Sequence, residues 1–226
     1  MASPECRLCG FKSPAAELLS VNELATLELN CAQITFKKGE VIFREGTLAT
    51  NIAYLKSGLV KIHIKGPTGD KILRLTKAPS YLGLPTTFGD KVNNYSATAL
   101  VESTICFISL DTFRDFIFKN GSFAYEIILD LCRHELSDYQ RYTNMSQKQL
   151  PGRLAEILLC ISHEVFKSNK FELPLNNNEL SDFISTSRES VSRLLSEFNK
   201  EGIISLNKKE LTILKEDILE KISLKG

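Results

Sequence analysis

Between Phe36 and Leu110 the apolar positions recur at short, strand-like intervals. "VIFREG", "IAYLKSG", "LVKIHIKG" and "KILRLTKA" are rich in β-branched and apolar residues. In the third of these, Val60, Ile62 and Ile64 alternate with Lys61, His63 and Lys65, so one face is buried and the other wet. Gly39, Gly46, Gly58, Gly66-Pro67 and Gly69-Asp70 separate the runs as turn residues. "ALVESTICFISL" adds a later strand. Many short strands at this spacing predict a small antiparallel roll or jelly-roll barrel.

From Asp111 the period lengthens to that of a helix. "DTFRDFIFKN" predicts a short helix that stops near Asn120-Gly121. "SFAYEIILDLCRHELSDYQRYTNMSQKQL" then runs for about eight turns without Gly or Pro. Phe123, Ile127, Ile128, Leu131, Leu136, Tyr139 and Tyr142 give it an apolar stripe. A helix of this length between two regions suits a homodimer seam, with Ile127, Ile128, Leu131, Glu135 and Asp138 on or beside it. The alternative is a helix lying on its own barrel. In a parallel dimer, Glu135 and Asp138 would each meet its twin and repel it.

Beyond Pro151 the order is helix ("GRLAEILLCISHEVF"), helix ("NNNELSDFIS"), tight turn, helix ("TSRESVSRLLSEFNKEG") and hairpin ("IISLNKKELTILK"). This order is a winged helix-turn-helix. The expected architecture is therefore α+β: a jelly-roll sensor domain over 1–120, a dimerisation helix and hinge over 121–150, and a winged helix-turn-helix over 151–226.

The third helix of that unit carries the most chemistry. Thr186 and Glu189 have capping-box spacing. Val191, Leu194, Leu195 and Phe198 share a core-facing side with Leu180, Phe183 and Ile184. Ser187, Arg188, Glu189, Ser192 and Arg193 lie mainly on the other side, at the end that enters a DNA major groove in this motif. Arginine can donate twice to guanine, a carboxylate can accept from cytosine, and serine can bond several base edges. Lys208 and Lys209, in the hairpin turn, can meet phosphates. The competing reading is a solvated face with a Glu189–Arg193 ion pair.

Charge tempers this picture. The whole chain has a net charge of +1. Residues 151–226 hold 11 Lys+Arg against 12 Asp+Glu, a net of −1. Phosphate neutralisation dominates DNA affinity, so a DNA-binding unit of this composition must segregate its charges. The rival reading is an effector-binding module whose carboxy-terminal unit contacts protein. Enzyme motifs are missing: there is no Gly-rich phosphate loop, nucleophile elbow or metalloprotease helix. No apolar run reaches membrane-spanning length and the amino terminus lacks a signal-peptide pattern, so a cytoplasmic location is expected.

Over essentially its whole length the chain resembles regulators of the CRP/FNR family. "SRESVSRLL" resembles the family's recognition helix, whose Glu-x-x-(Ser or Gly)-Arg pattern maps onto Glu189, Ser192 and Arg193. "FKKGEVIFREG" and "AYLKSGLVKI" resemble its cyclic-nucleotide-binding-like roll. The resemblance implies a dimer on double-stranded DNA with TTGA- or TGTGA-like inverted half-sites, and RNA polymerase as a partner.

It also bears on the signal. In "SYLGLPTTFGDKVNNYSATAL", Gly83 precedes Leu84, where cyclic-AMP-binding members have Glu. Tyr95-Ser96 stands where they have Arg-Ser. A tyrosine cannot supply the charge-assisted bond to the cyclic phosphate, which argues against cyclic AMP. Cys6 and Cys9 match two amino-terminal cluster ligands of the FNR branch, and Cys106 matches its distant one. Ala15 stands roughly at the missing third, and Cys31 is a substitute at a position foreign to the family. An iron–sulfur cluster needs four ligands, normally thiolates. Zinc, a thiol switch and no metal remain open alternatives. Asp138 matches an acidic residue that opposes dimerisation in the FNR branch. Cys132 and Cys160 are expected in the core, at helical spacing.

Overall fold

Period-2 patterning and glycine turns build two four-stranded antiparallel sheets, and period-3.6 patterning builds the helices around and after them. The structure is a computed structural model and describes residues 6–67 and 69–225. The chain divides into two units, residues 1–67 with 73–137, and residues 68–72 with 138–226.

In chain order, the first elements are α1 (Pro14–Glu17), α2 (Val21–Leu29), β1 (Cys31–Phe36), β2 (Val41–Phe43), β3 (Asn51–Ser57), β4 (Leu59–Gly66), β5 (Gly69–Lys77), β6 (Ser80–Leu82) and α3 (Leu84–Phe88). They continue with β7 (Ser96–Ala99), β8 (Ser103–Ser109), α4 (Leu110–Lys119) and the long α5 (Gly121–Gln147). The sheet orders are β1-β8-β3-β6 and β2-β7-β4-β5. Between the sheets lies one core of Ala53, Leu55, Val60, Ile62, Leu82, Ala97 and Ile105. The first sheet is also buried on its outer face. There Ile52, Tyr54, Tyr81, Cys106 and Ile108 pack under Ala15, Ala16, Leu19, Phe113, Phe116 and Phe123.

The second unit contains α6 (Leu150–Cys160), a π-helical turn (Ile161–Phe166), β9 (Lys170–Glu172), α7 (Asn177–Ile184), α8 (Arg188–Lys200), β10 (Ile204–Asn207), β11 (Glu210–Ile213) and α9 (Glu216–Lys225). Its sheet has the order β10-β11-β9. The hairpin that the sequence predicts is thus widened by β9, and α9 packs on α6. Neither β9 nor α9 is marked by a long periodic pattern. Each depends on a partner from elsewhere in the chain for its apolar residues, such as Phe171 and Leu219.

Two expectations are corrected here. Cys132 and Cys160 are exposed, not core residues. On an amphipathic helix, a position one step off the buried stripe turns about 100° away from it. Cys132 follows half-buried Leu131, and Cys160 lies beyond buried Leu158. Ile127 also moves, from the dimer seam into the roll's outer core, where it is buried with Phe123.

Gly58 is the tightest point of the roll. Its φ is +106°, and a Cβ there would sit 2.7 Å from the Ser103 Cα. Gly58→Ala is therefore expected to destabilise the protein by about 2–4 kcal/mol, from backbone strain plus overpacking. Chemical denaturation against the wild type measures this; an unchanged midpoint contradicts it.

Candidate nucleic-acid interface and thiol pocket

The helix-turn-helix is set by local capping. α7 starts at a reciprocal box: Asn176 Oδ1 accepts from the Glu179 N–H at 3.0 Å, and Glu179 Oε2 accepts from the Asn176 N–H at 2.9 Å. It ends at Ser185, in the left-handed region with φ 55°. The Thr186 N–H then reaches back to the Ser181 carbonyl at 3.0 Å. Three cations satisfy further carbonyls at this helix end: Arg153 donates to Ile184 O at 2.9 Å, Arg141 to Phe183 O at 3.3 Å, and Lys71 to Asp182 O at 2.6 Å. Arg141 also stands 4.2 Å over the Phe183 ring. Cations suit the carboxyl end of a helix, so the turn enters α8 in one fixed direction.

α8 is capped by Ser187, whose Oγ accepts from the Ser190 N–H at 3.2 Å. This corrects the Thr186–Glu189 box. The turn uses three residues from Ser185 to Ser187, which leaves Ser187, not Thr186, at the half-in position. Glu189 is thereby relieved of a capping role. Val191, Leu194, Leu195 and Phe198 are buried. Arg188, Glu189, Ser192 and Arg193 are all exposed along the opposite side. Arg193 approaches Glu197 and not Glu189: its Nε lies 3.7 Å from Glu197 Oε1. That separation exceeds a hydrogen bond, and an exposed pair of this kind contributes little, so the guanidinium can swing to another acceptor. In the wing, Lys208 (φ 56°) and Lys209 form the β10–β11 turn, and both are exposed.

On α5, Tyr125, Ile128, Tyr139 and Tyr142 are exposed large apolar residues. With Cys132 and Glu135, also exposed, they recur at alternating steps of three and four, the repeat of a helix–helix seam. Leu131 packs partly against the roll core. Asp138 is half-buried, off this seam. Glu135 is thus the carboxylate within this exposed stripe.

Four of the six cysteines line one cavity. Cys6, Cys9, Cys31 and Cys106 share it with Lys12, Lys56, Tyr54, Tyr81 and several phenylalanines. Strand register explains the strand pair. Cys31 lies opposite Ile108, and Cys106 lies opposite Gln33, so both face outward as diagonal neighbours. Tyr54 lies opposite Cys106 on the other side. The amino-terminal arm is laid across this face by two tyrosines. Tyr54 donates to Phe11 O at 2.7 Å, and the Tyr81 hydroxyl meets Ser13 Oγ at 2.8 Å. Burial pushes both phenols up, Tyr54 and Tyr81 alike, so they stay protonated. Lys12 closes the arm's turn by donating to Cys9 O at 3.0 Å and Arg7 O at 3.1 Å.

Within the cavity, Cys31 is hydrogen-bonded to both Cys6 and Cys106. That bond from Cys31 lowers the pKa of Cys6 and of Cys106, while Cys31, bonded to two thiols and partly desolvated, is raised. Among the described residues no three His, Cys, Asp or Glu side chains already form a metal cage. His134 stands beside Asp130 at 3.7 Å and does not line the cavity. The cavity holds about 40 Å³, near the ~30 Å³ share of one water. The donor set matches an iron–sulfur cluster in type and number. Lys12, Lys56, Tyr54 and Tyr81 were not singled out by sequence reasoning. The period-2 series Ile52, Tyr54, Lys56 was the available signal, but its partners depend on the register of β8. Tyr95, where a phosphate-binding arginine would stand, packs its ring 6.1 Å from Phe43 beside the inner core.

A roll with an exposed, well-capped helix in a winged helix-turn-helix defines a two-part regulator. Residues 33–120 match the cyclic nucleotide-binding domain family, and residues 152–222 match the Crp-like helix-turn-helix domain family. The chain belongs to the CRP/FNR family of transcription regulators. Transcriptional activator protein anr of Pseudomonas aeruginosa is 26% identical over 194 residues, covering 84% of this chain and 79% of that protein. Transcriptional activator protein FnrA of Stutzerimonas stutzeri is 24% identical over 182 residues, 79% of this chain and 75% of that protein. The fold is shared with a crp/fnr-family regulator from Eubacterium rectale, with TM-score 0.78, 18% identity, and 94% and 98% coverage of the two chains. FixK2 from Bradyrhizobium japonicum gives TM-score 0.76 at 16% identity, covering 85% of this chain and 96% of that one. No described helix is long and apolar enough to cross a membrane.

Ser187→Ala removes the α8 cap and is expected to cost about 1 kcal/mol of stability, whereas Ser187→Asp keeps the cap. Thermal unfolding of the two variants measures the difference; equal losses would contradict the capping assignment.

Proposed function

We propose that the chain is a homodimeric activator that binds an inverted-repeat operator with TTGA- or TGTGA-like half-sites. Residues 1–120 serve as the sensor domain, 121–150 as the dimerisation helix and hinge, and 151–226 as the DNA-binding domain. Ser187, Arg188, Glu189, Ser192 and Arg193 read bases, and Lys208 and Lys209 in the wing meet phosphates. RNA polymerase is the partner for activation, and the cytoplasm is the compartment. The signal enters at the amino-terminal domain through its cysteines. The observation that carries the reading is the exposure of the whole polar side of α8 while its apolar side is buried.

In a dimer, two such helices lie about 34 Å apart, in successive major grooves. The exposed seam of α5 supplies the pairing surface, with the two Glu135 carboxylates opposed across it. Any signal that shifts the equilibrium does so by preferring the associated state. The near-neutral charge of residues 151–226 supports one second reading, a carboxy-terminal unit that contacts protein.

Fluorescence anisotropy on TTGA- and TGTGA-type palindromes tests the first reading. Arg193→Ala is expected to lose about 10–100-fold in affinity, the value of one bidentate base contact, with unchanged thermal stability because the side chain is exposed. No binding by the intact protein at low salt would favour the protein-contact reading. Glu135→Ala is expected to strengthen self-association several-fold in sedimentation velocity; an unchanged dissociation constant would remove Glu135 from the seam.

A further inference from the structure

The turn between α7 and α8 is held by a side chain from far outside the helix-turn-helix. We propose that Lys71 is a positioning residue: its ammonium fixes this turn, and through it the direction in which α8 presents Arg188, Glu189, Ser192 and Arg193. The role in DNA binding rests on the reading of α8 as the base-reading helix.

The donors and acceptors match in number. An ammonium carries three N–H donors. Lys71 Nζ donates to Asp182 O at 2.6 Å, to Phe183 O at 3.2 Å and to Ser185 Oγ. Residues 68–72 belong to the same unit as α7 and α8. The last carbonyls of a helix lack partners within it. Here Ser181 O accepts from the Thr186 N–H, Asp182 O from Lys71, Phe183 O from Lys71 and Arg141, and Ile184 O from Arg153. Side chains thus stand in for the missing next turn of α7.

The residue that most needs holding is among these acceptors. Ser185 has a φ of 55°, in the left-handed region. Glycine is the usual residue at such a helix end, because a Cβ is disfavoured there. A non-glycine residue stays in this conformation only when its surroundings fix it. Lys71 binds the Ser185 hydroxyl and two carbonyls just before it. A second grip reinforces the first. Arg141 Nη2 donates to Ile72 O at 3.1 Å and to Phe183 O at 3.3 Å, so the residue after Lys71 is tied to the same helix end.

The hold is opposed as well as favoured. Lys71 is half-buried. Burial, followed by the Arg141 guanidinium, brings its pKa down to about 8; Arg153 adds to this and Asp182 opposes it. Lys71 is therefore still mostly cationic at neutral pH, and desolvation offsets part of what its hydrogen bonds contribute. With its three donors engaged in the turn, Lys71 acts on DNA affinity by orientation and not by meeting a phosphate. Apparent affinity falls in proportion to the population that leaves the competent orientation.

The test uses the full chain and Lys71→Met, which removes the charge and the donors. Circular dichroism and thermal unfolding monitor the fold, and Lys71→Gln, with part of the donor capacity, provides a second and milder variant. Hydrogen exchange over residues 181–190 is expected to be at least about tenfold faster in Lys71→Met, with α6 unchanged, as for a local opening. Anisotropy on the palindromes is expected to show about tenfold weaker binding at an unchanged salt slope, whereas loss of a phosphate contact lowers that slope by about one. Ser185→Gly removes the need for a hold, so Lys71→Met in that background is expected to cost about threefold or less, a coupling read by the double-mutant cycle. Wild-type exchange over the turn, a lowered salt slope, or the same loss in both backgrounds would each overturn the proposal. If the intact protein binds neither palindrome, the operator reading falls, and exchange over the turn decides the role of Lys71 by itself.

Discussion

The inner strands β8 and β3, with β6, are buried on both faces, and the amino-terminal unit depends on that constraint. A strand with two buried faces has no wet side on which to place polar residues, so each of its alternating positions must find an apolar or hydrogen-bonded partner. On the inner face Ala53, Leu55 and Ile105 meet the second sheet. On the outer face the tyrosines find carbonyl and hydroxyl partners in the arm, and an aromatic series continues from Tyr81 to Phe113 at 5.5 Å and on to Phe123 at 5.2 Å. Aromatic side chains of this kind each bury roughly 150–250 Å², so the arm is held by packing as much as by hydrogen bonds. The thiols are gathered because they lie under that cover.

In the second unit the governing constraint is the direction in which α8 leaves the turn. Ser185 in the left-handed region, the carbonyls met by Arg141 and Arg153, and the Ser187 cap act on consecutive residues. Four buried apolar residues then fix the rotation of the helix about its axis. Once rotation and direction are set, the polar flank has no freedom to hide, and its arginines and carboxylate face solvent together. The local balance of charge makes sequence-independent attraction to DNA weak. In a DNA-binding unit of this composition, discrimination rests on base contacts more than on bulk charge.

Membership of the CRP/FNR family accounts for the architecture, and this chain's departures lie in the roll and the amino-terminal arm. Tyr95 packs against Phe43, where a phosphate partner would be cationic. Cys31 lies at a strand position and yet reaches the same cavity as Cys6 and Cys9. A cavity's lining is defined by where side chains meet in space, and a sheet register can bring in a residue that a linear motif omits.

The sequence alone determined the order of elements: a glycine-punctuated roll, a long helix, and a winged helix-turn-helix with its polar and apolar sides assigned. These are local properties, because alternation, helical period and turn chemistry act within a few residues. It also located Val191, Leu194, Leu195 and Phe198 on one side of α8 and the readers on the other. The cap at Ser187 was misplaced by one residue, since Ser and Thr compete for that role and only the length of the preceding turn chooses between them. The tertiary structure decided that Ile127 faces the roll, and that Cys132, Cys160 and Glu135 face solvent. It alone brought Cys31 beside Cys6 and Cys106, across 25 and 75 residues of chain. Those outcomes follow from strand register and from which face of a helix finds a partner, and both are fixed by contacts between segments far apart in the chain.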